Sequence, residues 1–351
     1  MQLPMYASIL VLFRLELLLA AELWSPKKMP LTDEFSFMQL SHNISIRRGY
    51  ASTTTVSSQA CSEVIPVKGS AKPMPAIGLG TDRNTLPDMI KTYLAIGGRL
   101  IDTAQFYTNS ENLGIGIRES PTPREDIWLT SKVNTCLTFS ADDVVKAVDD
   151  NLEEFGLDYL DLMLLHGGPT WRAGIRLTGR VPPLVGQDAN DVDLWRGLIM
   201  AKRAGKVRNI GVSNFDQELL TKLINETGEA PAVNQLEYNP WSPPKERDLV
   251  QWCQERNITV TAFNVLGGAP GHAVDEAVGV LAEKYQATDT QVFIRWALEK
   301  GVAVIPKSHS KERMEENLNC SAPQHLTASD MDFLESSPPP EGWNVYDLEG
   351  R

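Results

Sequence analysis

The sequence lacks the G-x-G-x-x-G segment with which a strand–turn–helix unit holds the pyrophosphate of a dinucleotide. We therefore expect no Rossmann-type nucleotide site, so any phosphate group would have to be bound by other loops and helix starts. Cysteine is scarce as well, and its four positions show neither a C-x-x-C pair nor zinc-ligand spacing: Cys61, Cys136, Cys253 and Cys320. The sequence thus predicts reduced cysteines, a reducing compartment such as the cytoplasm, and no structural metal.

Basic residues are in the minority, because the chain has 33 Lys and Arg against 45 Asp and Glu and a formal net charge of -12. This balance disfavours nucleic acid as a partner, since binding to a phosphate backbone depends on clustered basic residues. A long uncharged apolar run is also missing. The apolar N-terminal stretch is interrupted by Arg14, Glu16 and Glu22 and falls short of the roughly 20 residues that a membrane span needs. We expect no membrane span, and a monomer that acts on a small molecule.

The first sixty residues differ in composition from the rest. Residues 36–60 are rich in Ser and Thr and have no acidic residue. This composition is typical of an organellar presequence, and RRGYAS is similar to a mitochondrial processing site after Tyr50. Two acidic residues upstream oppose that interpretation unless the chain starts at Met38, and a poorly ordered extension is the alternative. We therefore expect an N-terminal extension over 1–60 and a folded domain over 61–351.

From Ile65 onward, short apolar runs typical of strands alternate with amphipathic helical patterns. One such pattern spans 141–155, where Ser140 can cap the helix and Gly156 can end it. Eight runs are predicted as strands: 76–79, 99–101, 127–130, 161–165, 208–212, 232–234, 259–262 and 302–305. Eight strand–helix repeats predict an α/β fold, a (β/α)8 TIM barrel of eight parallel strands surrounded by helices. The segment 64–75 is expected to form a short hairpin over the bottom of the barrel.

Four ionisable side chains lie at or just beyond the ends of predicted strands: Asp102, Tyr107, Lys132 and His166. The carboxyl ends of parallel barrel strands meet at one rim, and barrel enzymes carry out catalysis there. Each residue alone has a simpler explanation, since an Asp and a Lys often form an ordinary ion pair and a Tyr or His is often only packed. Four such groups on neighbouring strand ends favour an active site, because packing alone would select apolar residues at buried positions.

Seven short motifs follow one another between residues 65 and 335. They are GLGT at 78–81, IDTAQFY at 101–107, LTSK at 129–132, FGLDYLDLMLLH at 155–166, GVSNF at 211–215, VNQLEYNP at 233–240 and IPKS at 305–308. In order and spacing the chain resembles the aldo-keto reductases, a match that rests on all seven together because each one alone occurs by chance. The resemblance implies a barrel enzyme that reduces aldehydes or ketones to alcohols with NADPH.

Carbonyl reduction needs an acid beside the substrate oxygen, because hydride addition to the carbonyl carbon leaves an alkoxide. Tyr107 is the candidate acid, and since a tyrosine hydroxyl ordinarily ionises near pH ~10, the cation of Lys132 should ease the loss of its proton. Asp102 would hold Lys132, while His166 would orient the substrate oxygen. The resemblance assigns the same four roles to the same four positions. His166 also argues against steroid double-bond reduction, for which related enzymes have a glutamate here.

The resemblance also implies a binding site for NADPH or NADP+. After the last predicted strand, IPKSHSKERMEEN offers cations and hydroxyl groups at a helix start, where free N–H groups favour an anion such as a 2′-phosphate. The expected groups are Lys307, Ser308, Ser310 and Arg313 for this phosphate, Glu316 and Asn317 for the adenine, and Ser213, Asn214 and Gln235 for the nicotinamide amide. Phe263 would stack on the nicotinamide ring in place of the family's usual tyrosine. The remaining expected contacts are Gly80, Thr81, Asp102 and Leu266.

Some of these cofactor residues have a structural alternative. Glu316 and Asn317 could belong to an exposed helix face, and Phe263 could belong to the core. The substrate pocket departs from the family pattern, because Asp82 and Gly167 stand where many members have tryptophan. A wider and more polar pocket is therefore expected, unless Trp171, Trp343 or Tyr346 refills it.

Two other functions remain as alternatives. Some barrels of this kind bind NADP(H) as non-catalytic regulatory subunits of other proteins. In barrel aldolases a lysine forms a Schiff base with the substrate. Asp102 weakens that alternative, because an ion pair keeps Lys132 protonated and therefore non-nucleophilic.

Overall fold

The structure, a computed structural model, describes residues 61–177, 189–267 and 276–339. The predicted N-terminal extension, 1–60, lies outside these residues, as do Trp343 and Tyr346.

Eight parallel strands form the central sheet, and strands that follow one another in the sequence are hydrogen-bonded neighbours. Their numbering begins at β3, because the two strands of an N-terminal hairpin precede them in the sequence. They are β3 (Leu79–Gly80), β4 (Leu100–Asp102), β5 (Trp128–Val133), β6 (Leu160–Leu165), β7 (Val207–Ser213), β8 (Val233–Glu237), β9 (Thr259–Phe263) and β10 (Ala303–Val304). Strands β5 and β6 are buried along their whole length, as expected for a parallel sheet covered on both faces.

The two end strands of this sheet also meet each other. Ile77 and Val304 form a parallel bridge, and so do Gly80 and Lys307. The Gly78 N–H donates to the Val304 carbonyl oxygen at 2.8 Å. These contacts close the sheet into a barrel, so the predicted (β/α)8 fold is confirmed.

Helices surround the barrel and pack their apolar faces on it. In the part of the chain that the structure describes they are α1 (Pro87–Ala95), α2 (Ser110–Arg118), α3 (Ala141–Phe155), α4 (Pro169–Leu177), α5 (Asp191–Arg203), α6 (Gln217–Thr227), α7 (Pro244–Glu255), α8 (Glu276–Tyr285), α9 (Asp289–Glu299), α10 (Lys311–Leu318) and α11 (Ala328–Ser336). Helix α3 is the one predicted in detail: Ser140 Oγ accepts from the Asp143 N–H, and Gly156 ends it with φ 60°. None of these helices is long and apolar enough to cross a membrane.

The predicted hairpin is present at the amino ends of the barrel strands. Its strands are β1 (Val64–Ile65) and β2 (Met74–Pro75), which pair antiparallel. Lys72 Nζ lies 3.0 Å from a carboxylate oxygen of Asp161, near the start of β6. Met74 packs into the apolar interior of the barrel with Trp128. The hairpin therefore covers the end of the barrel opposite the rim on which the candidate residues lie.

One expectation about the cysteines is wrong. Cys61 and Cys320 form a disulfide with a Cα–Cα distance of 5.3 Å. They are 259 residues apart in the sequence, so no local spacing pattern could reveal that the fold brings them together. Together with Glu63 they also make up the one group of possible metal ligands among the described residues, but their sulfur atoms are bonded to each other.

Candidate active site

A buried ion pair lies at the carboxyl end of the barrel. Lys132 Nζ is 2.5 Å from Asp102 Oδ1 and donates to the Thr103 carbonyl oxygen at 2.9 Å. The other carboxylate oxygen of Asp102 accepts from Gln235 Nε2 at 2.7 Å. Asp102 is 3% exposed and Lys132 is 1% exposed. The hydrogen bonds compensate the hydration that both charges lose on burial, so each side chain is held in one position.

Tyr107 and His166 lie beside this ion pair. Tyr107 ends a short 3-10 helix, Gln105–Tyr107, that follows β4. The centroid of its ring is 5.5 Å from Lys132 Nζ and 5.9 Å from that of the His166 imidazole, which is turned by 81°. His166 directly follows β6. The structure thus brings the four predicted side chains together at one end of the barrel.

The imidazole of His166 is almost fully enclosed. Burial, together with the charge of Lys132, holds the pKa of His166 well below its usual value, so the ring is neutral at pH 7 and has one N–H donor. The Nδ1 atom is buried and has no hydrogen-bond partner among the described residues. The Trp171 ring stacks on the imidazole with centroids 4.6 Å apart and planes inclined by 23°. Phe106 approaches edge-on at 6.3 Å.

A network of small polar residues joins β3 to β4 next to Asp102. The Thr81 hydroxyl donates to the Asp102 carbonyl oxygen at 2.9 Å and accepts from Asn109 Nδ2 at 3.2 Å. Asn109 Oδ1 in turn accepts from the Thr103 hydroxyl at 2.7 Å. Gly80 is required here because a Cβ at this position would lie 2.5 Å from the Ile305 carbonyl oxygen. Asn109 was not predicted from the sequence.

The residues expected to hold the nicotinamide amide also converge. Ser213, the last residue of β7, donates to the Gln235 carbonyl oxygen at 3.0 Å and accepts from Asn214 Nδ2 at 3.1 Å. Asn214 Nδ2 also donates to the His166 carbonyl oxygen at 3.1 Å. Asn214 has φ 58°, a left-handed conformation that asparagine tolerates better than most residues. The ends of β6, β7 and β8 are therefore linked beside the ion pair.

Phe263 and Leu266 follow at the end of β9. Phe263 is half-buried and packs against the apolar residues of the barrel interior. Leu266 is also half-buried and packs against the core between barrel and helices. Both residues thus have apolar contacts, and each keeps part of its surface exposed.

The predicted anion site lies where α10 begins. Ser310 caps the helix, since its hydroxyl oxygen accepts from the Arg313 N–H at 3.4 Å. The Ser308 hydroxyl oxygen accepts from the Ser310 N–H at 3.2 Å. Arg313 is exposed and forms no ion pair with a described residue. Lys307, in contrast, lies 3.0 Å from Asp82 Oδ2, and His309 Nε2 lies 3.2 Å from Asp82 Oδ1.

The two residues expected to reach the adenine differ in environment. A carboxylate oxygen of Glu316 accepts from the Thr288 hydroxyl at 2.5 Å. Asn317 is buried at 8% exposure rather than part of an exposed face.

One feature of the pocket was not foreseen. Asp82 was noted only as a missing tryptophan, yet its carboxylate contacts both Lys307 and His309. Of the three aromatic residues considered as replacements for the missing walls, Trp171 is 8% exposed and lies against His166, whereas Trp343 and Tyr346 lie outside the described residues. The sequence signal for this aromatic wall is Trp171, five residues after His166, combined with Gly167 at the position directly after the histidine.

Comparisons with known proteins agree with the architecture. The model of the aldo/keto reductase family matches residues 76–337. The chain is 35% identical over 253 residues to a 9,11-endoperoxide prostaglandin H2 reductase of Trypanosoma cruzi, covering 70% of this chain and 82% of that protein. It is 34% identical over 250 residues to the methylglyoxal reductase DkgB of Escherichia coli O157:H7, covering 70% and 86%.

Solved structures give the same result. The aldo-keto reductase of Bombyx mori in complex with NADP superposes with a TM-score of 0.68 at 28% sequence identity, covering 78% of this chain and 93% of that one.

Proposed function

Since this chain belongs to the aldo/keto reductase family, and is thereby a carbonyl-reducing oxidoreductase, we propose that it reduces an aldehyde or ketone with NADPH and that Tyr107 is the general acid. The observation that carries the proposal is the buried Asp102–Lys132 pair beside the Tyr107 and His166 rings. Burying two charges is costly, and packing alone would be served better by apolar residues.

Tyr107 would donate a proton to the substrate oxygen as negative charge develops there. The Lys132 cation, 5.5 Å from the ring centroid, would stabilise the tyrosinate that remains. Asp102 would hold Lys132 protonated and in place, and Gln235 would fix the carboxylate from its other side. This division of tasks also disfavours a Schiff base at Lys132, because a protonated amine is not a nucleophile.

His166 would orient the substrate rather than transfer a proton. Its low pKa leaves the ring neutral, so that a single N–H can donate to the carbonyl oxygen without competing with Tyr107 as an acid. Its backbone is tied to Asn214 through the 3.1 Å hydrogen bond, which links the substrate-orienting residue to the expected nicotinamide site.

NADPH, when bound, supplies the hydride. The residues present fit this cofactor: Ser213, Asn214 and Gln235 place amide and hydroxyl groups beside the ion pair, where they would bind a carboxamide. The start of α10 offers free N–H groups with Lys307 and Arg313, which would bind a 2′-phosphate. Phe263 and Leu266 would supply apolar contacts, and Gly80 and Thr81 would line the rim next to Asp102. Glu316 and Asn317 would contact the adenine.

The substrate would be a small aldehyde or ketone, since relatives are named for the reduction of methylglyoxal and of indole-3-acetaldehyde. The test is to follow NADPH consumption by the purified protein with a panel of aldehydes, methylglyoxal among them, for wild type and Tyr107→Phe. We expect turnover by wild type, and a loss of at least about a hundredfold in Tyr107→Phe with unchanged NADPH affinity. Equal rates in both would contradict the assignment of the acid. Tight NADPH binding without any turnover would instead favour a regulatory subunit.

A further inference from the structure

Trp171 is not one of the four candidate catalytic residues, yet it is in direct contact with one of them, His166. Trp171 belongs to the first turn of α4, five residues after His166, and its ring stacks on the imidazole with centroids 4.6 Å apart. Two further rings, Phe106 and Tyr107, meet the same imidazole edge-on at 6.3 Å and 5.9 Å. His166 is therefore surrounded by three aromatic side chains, of which Trp171 is the one stacked on it.

Gly167 makes room for this stack. A Cβ built at Gly167 would lie 2.4 to 2.5 Å from three atoms of the Trp171 indole, so any larger residue would force the indole to move. The Gly167 carbonyl oxygen accepts from the Thr135 hydroxyl at 2.9 Å and from Arg172 NH1 at 3.2 Å. The glycine that removes the expected aromatic wall is thus the residue that allows Trp171 to replace it.

The helix that carries Trp171 is anchored by an ion pair. Arg172 NH1 lies 2.6 Å from Asp191 Oδ1, and both side chains are buried. The Arg172 N–H donates to the Gly168 carbonyl oxygen at 3.0 Å. These contacts lie next to Trp171 in the chain and hold the start of α4 against the end of β6. The backbone that carries the Trp171 indole is therefore held in place.

His166 lacks the interaction that usually orients a functional histidine. In most such sites the ring nitrogen that does not face the substrate is hydrogen-bonded, and this bond sets the orientation and the tautomer. Here Nδ1 is buried without a partner among the described residues. The charged and titratable groups around the ring are Lys132 and Tyr107, with the paired Asp102 behind them and the Arg172–Asp191 pair on α4 and α5. The ring contacts of the imidazole among the described residues are those with Trp171, Tyr107 and Phe106.

We propose that Trp171 is a positioning residue for His166, and that face-to-face stacking takes the place of a hydrogen bond at Nδ1 in orienting the imidazole and excluding water from it. The catalytic part of this inference rests on the function proposed above. The structural part does not, because the state of the imidazole can be measured without turnover.

The first measurement is the titration of His166 by NMR in the full-length protein, with the resonance assigned by comparison with His166→Asn. In wild type we expect the ring to titrate well below the usual range of a histidine, since burial and Lys132 hold its pKa low. Trp171→Ala should admit water and raise the pKa of His166 toward the ordinary value of about 6.5. Trp171→Phe, which restores an aromatic face, should return the titration toward that of wild type.

The second measurement uses a variant that leaves Trp171 unchanged. Gly167→Ala should displace the indole and reproduce the titration of Trp171→Ala. Gly168→Ala is the matched control, because its Cβ would meet only the end of the flexible Leu219 side chain at 2.7 Å. We expect Gly168→Ala to titrate like wild type. With an aldehyde substrate, Trp171→Ala and Gly167→Ala should lower kcat/KM by about tenfold or more and give it a new inflection near pH ~6.5, with NADPH affinity within about twofold of wild type.

An unchanged titration of His166 in both Trp171→Ala and Gly167→Ala would overturn the proposal. If wild type reduces no carbonyl compound, the proposed function fails, but the titrations still decide whether Trp171 controls the imidazole.

Discussion

Asp82 sets the charge of the site at which a phosphate is expected. Its carboxylate lies 3.0 Å from Lys307 Nζ and 3.2 Å from His309 Nε2. Burial raises the pKa of Asp82, but hydrogen bonds from Lys307 and from the Asn84 N–H lower it more, so the pKa lies below its usual value. The group is therefore charged at neutral pH. A phosphate that binds Lys307 must compete with this carboxylate.

Asp82→Asn should consequently bind NADPH about fivefold more tightly than wild type, because an exposed ion pair of this kind is worth about 1 kcal/mol. Affinity for NADH should change little, since NADH has no 2′-phosphate. Fluorescence quenching with both nucleotides gives the two dissociation constants. Asp88→Asn is the control, because it removes the same charge from an exposed position paired with Lys91 on α1. Weaker NADPH binding by Asp82→Asn would show that the carboxylate does not compete.

Arg313→Ala tests the other cation of the same site. Arg313 is exposed at the first turn of α10 and forms no ion pair with a described residue, although the carboxylate of Glu312 in the same turn offsets part of its charge. A charge-assisted hydrogen bond contributes about 1.5 to 3 kcal/mol, so the variant should lose about 10- to 100-fold in NADPH affinity and much less for NADH. Arg256→Ala removes an equal charge from α7's carboxyl end and should bind both nucleotides like wild type. If Arg313→Ala binds NADPH normally, Arg313 does not contact the phosphate.

For individual residues, the sequence predicted where a side chain lies in the barrel better than which residues it contacts. Asp102, Tyr107, Lys132 and His166 could be placed because each ends or follows an apolar run, and strand ends meet at one rim. The partners of Asp82 could not be predicted, because Lys307 and His309 come from the opposite end of the barrel sequence. The stacking of Trp171 on His166 could not be predicted either, because it depends on the direction of the Trp171 side chain, which the presence of Gly167 alone does not reveal.

At the scale of single elements, α11 begins with a reciprocal cap. Thr327 and Asp330 bond to each other's backbone N–H groups, and the Asp330 carboxylate also accepts from Lys284 and Tyr285 on α8. Burial raises the pKa of Asp330, but these hydrogen bonds lower it more, so it lies well below its usual value. One carboxylate therefore both starts α11 and joins it to α8.

Asp330→Asn should lower the free energy of unfolding by about 1 to 2 kcal/mol at pH 7, since it removes a cap and an ion pair. Because the pKa of Asp330 is depressed in the folded state, its contribution is complete above the unfolded value of about 3.9 and declines as the pH falls below it. The difference between variant and wild type should therefore shrink below about pH 4, as measured by urea unfolding at several pH values. Asp332→Asn, on an exposed position of the same helix, should show no such difference. A difference independent of pH would contradict the ionic part of this account.

Element positions were largely predictable. All eight predicted strands are present, and helix 141–155 has its predicted limits at Ser140 and Gly156. Strand ends were less accurate: β5 extends to Val133 and β8 to Glu237 because pairing with neighbouring strands continues beyond the apolar runs. Hydrophobic patterns report burial, whereas these ends are set by hydrogen bonds between strands.

For the whole molecule, the disulfide between Cys61 and Cys320 is the main departure from expectation. It connects the residue just before the hairpin to the segment after α10 and closes a loop of 259 residues. A crosslink of this span removes much conformational freedom from the unfolded chain.

Breaking this crosslink should lower the free energy of unfolding by about 3 to 5 kcal/mol. We expect a reductant to lower the urea midpoint of the wild type, and to have no effect on Cys61→Ser, which should already have the lower midpoint. Thiol counting in denaturant should find two reactive thiols in the oxidised wild type. Four thiols and no response to reductant would mean that the bond does not form in solution.

The contacts that close the barrel, among them the hydrogen bond from Gly78 to Val304, also have a consequence for synthesis on the ribosome. The first barrel strand, β3, emerges early from the ribosome. The strand that closes the barrel against it, β10, is among the last elements to leave the exit tunnel. Until then the nascent chain has two open sheet edges, on β3 and β9, and such edges pair readily with other chains. We therefore expect chains arrested before residue 303 to aggregate or to be bound by chaperones, and the completed chain to be released from them.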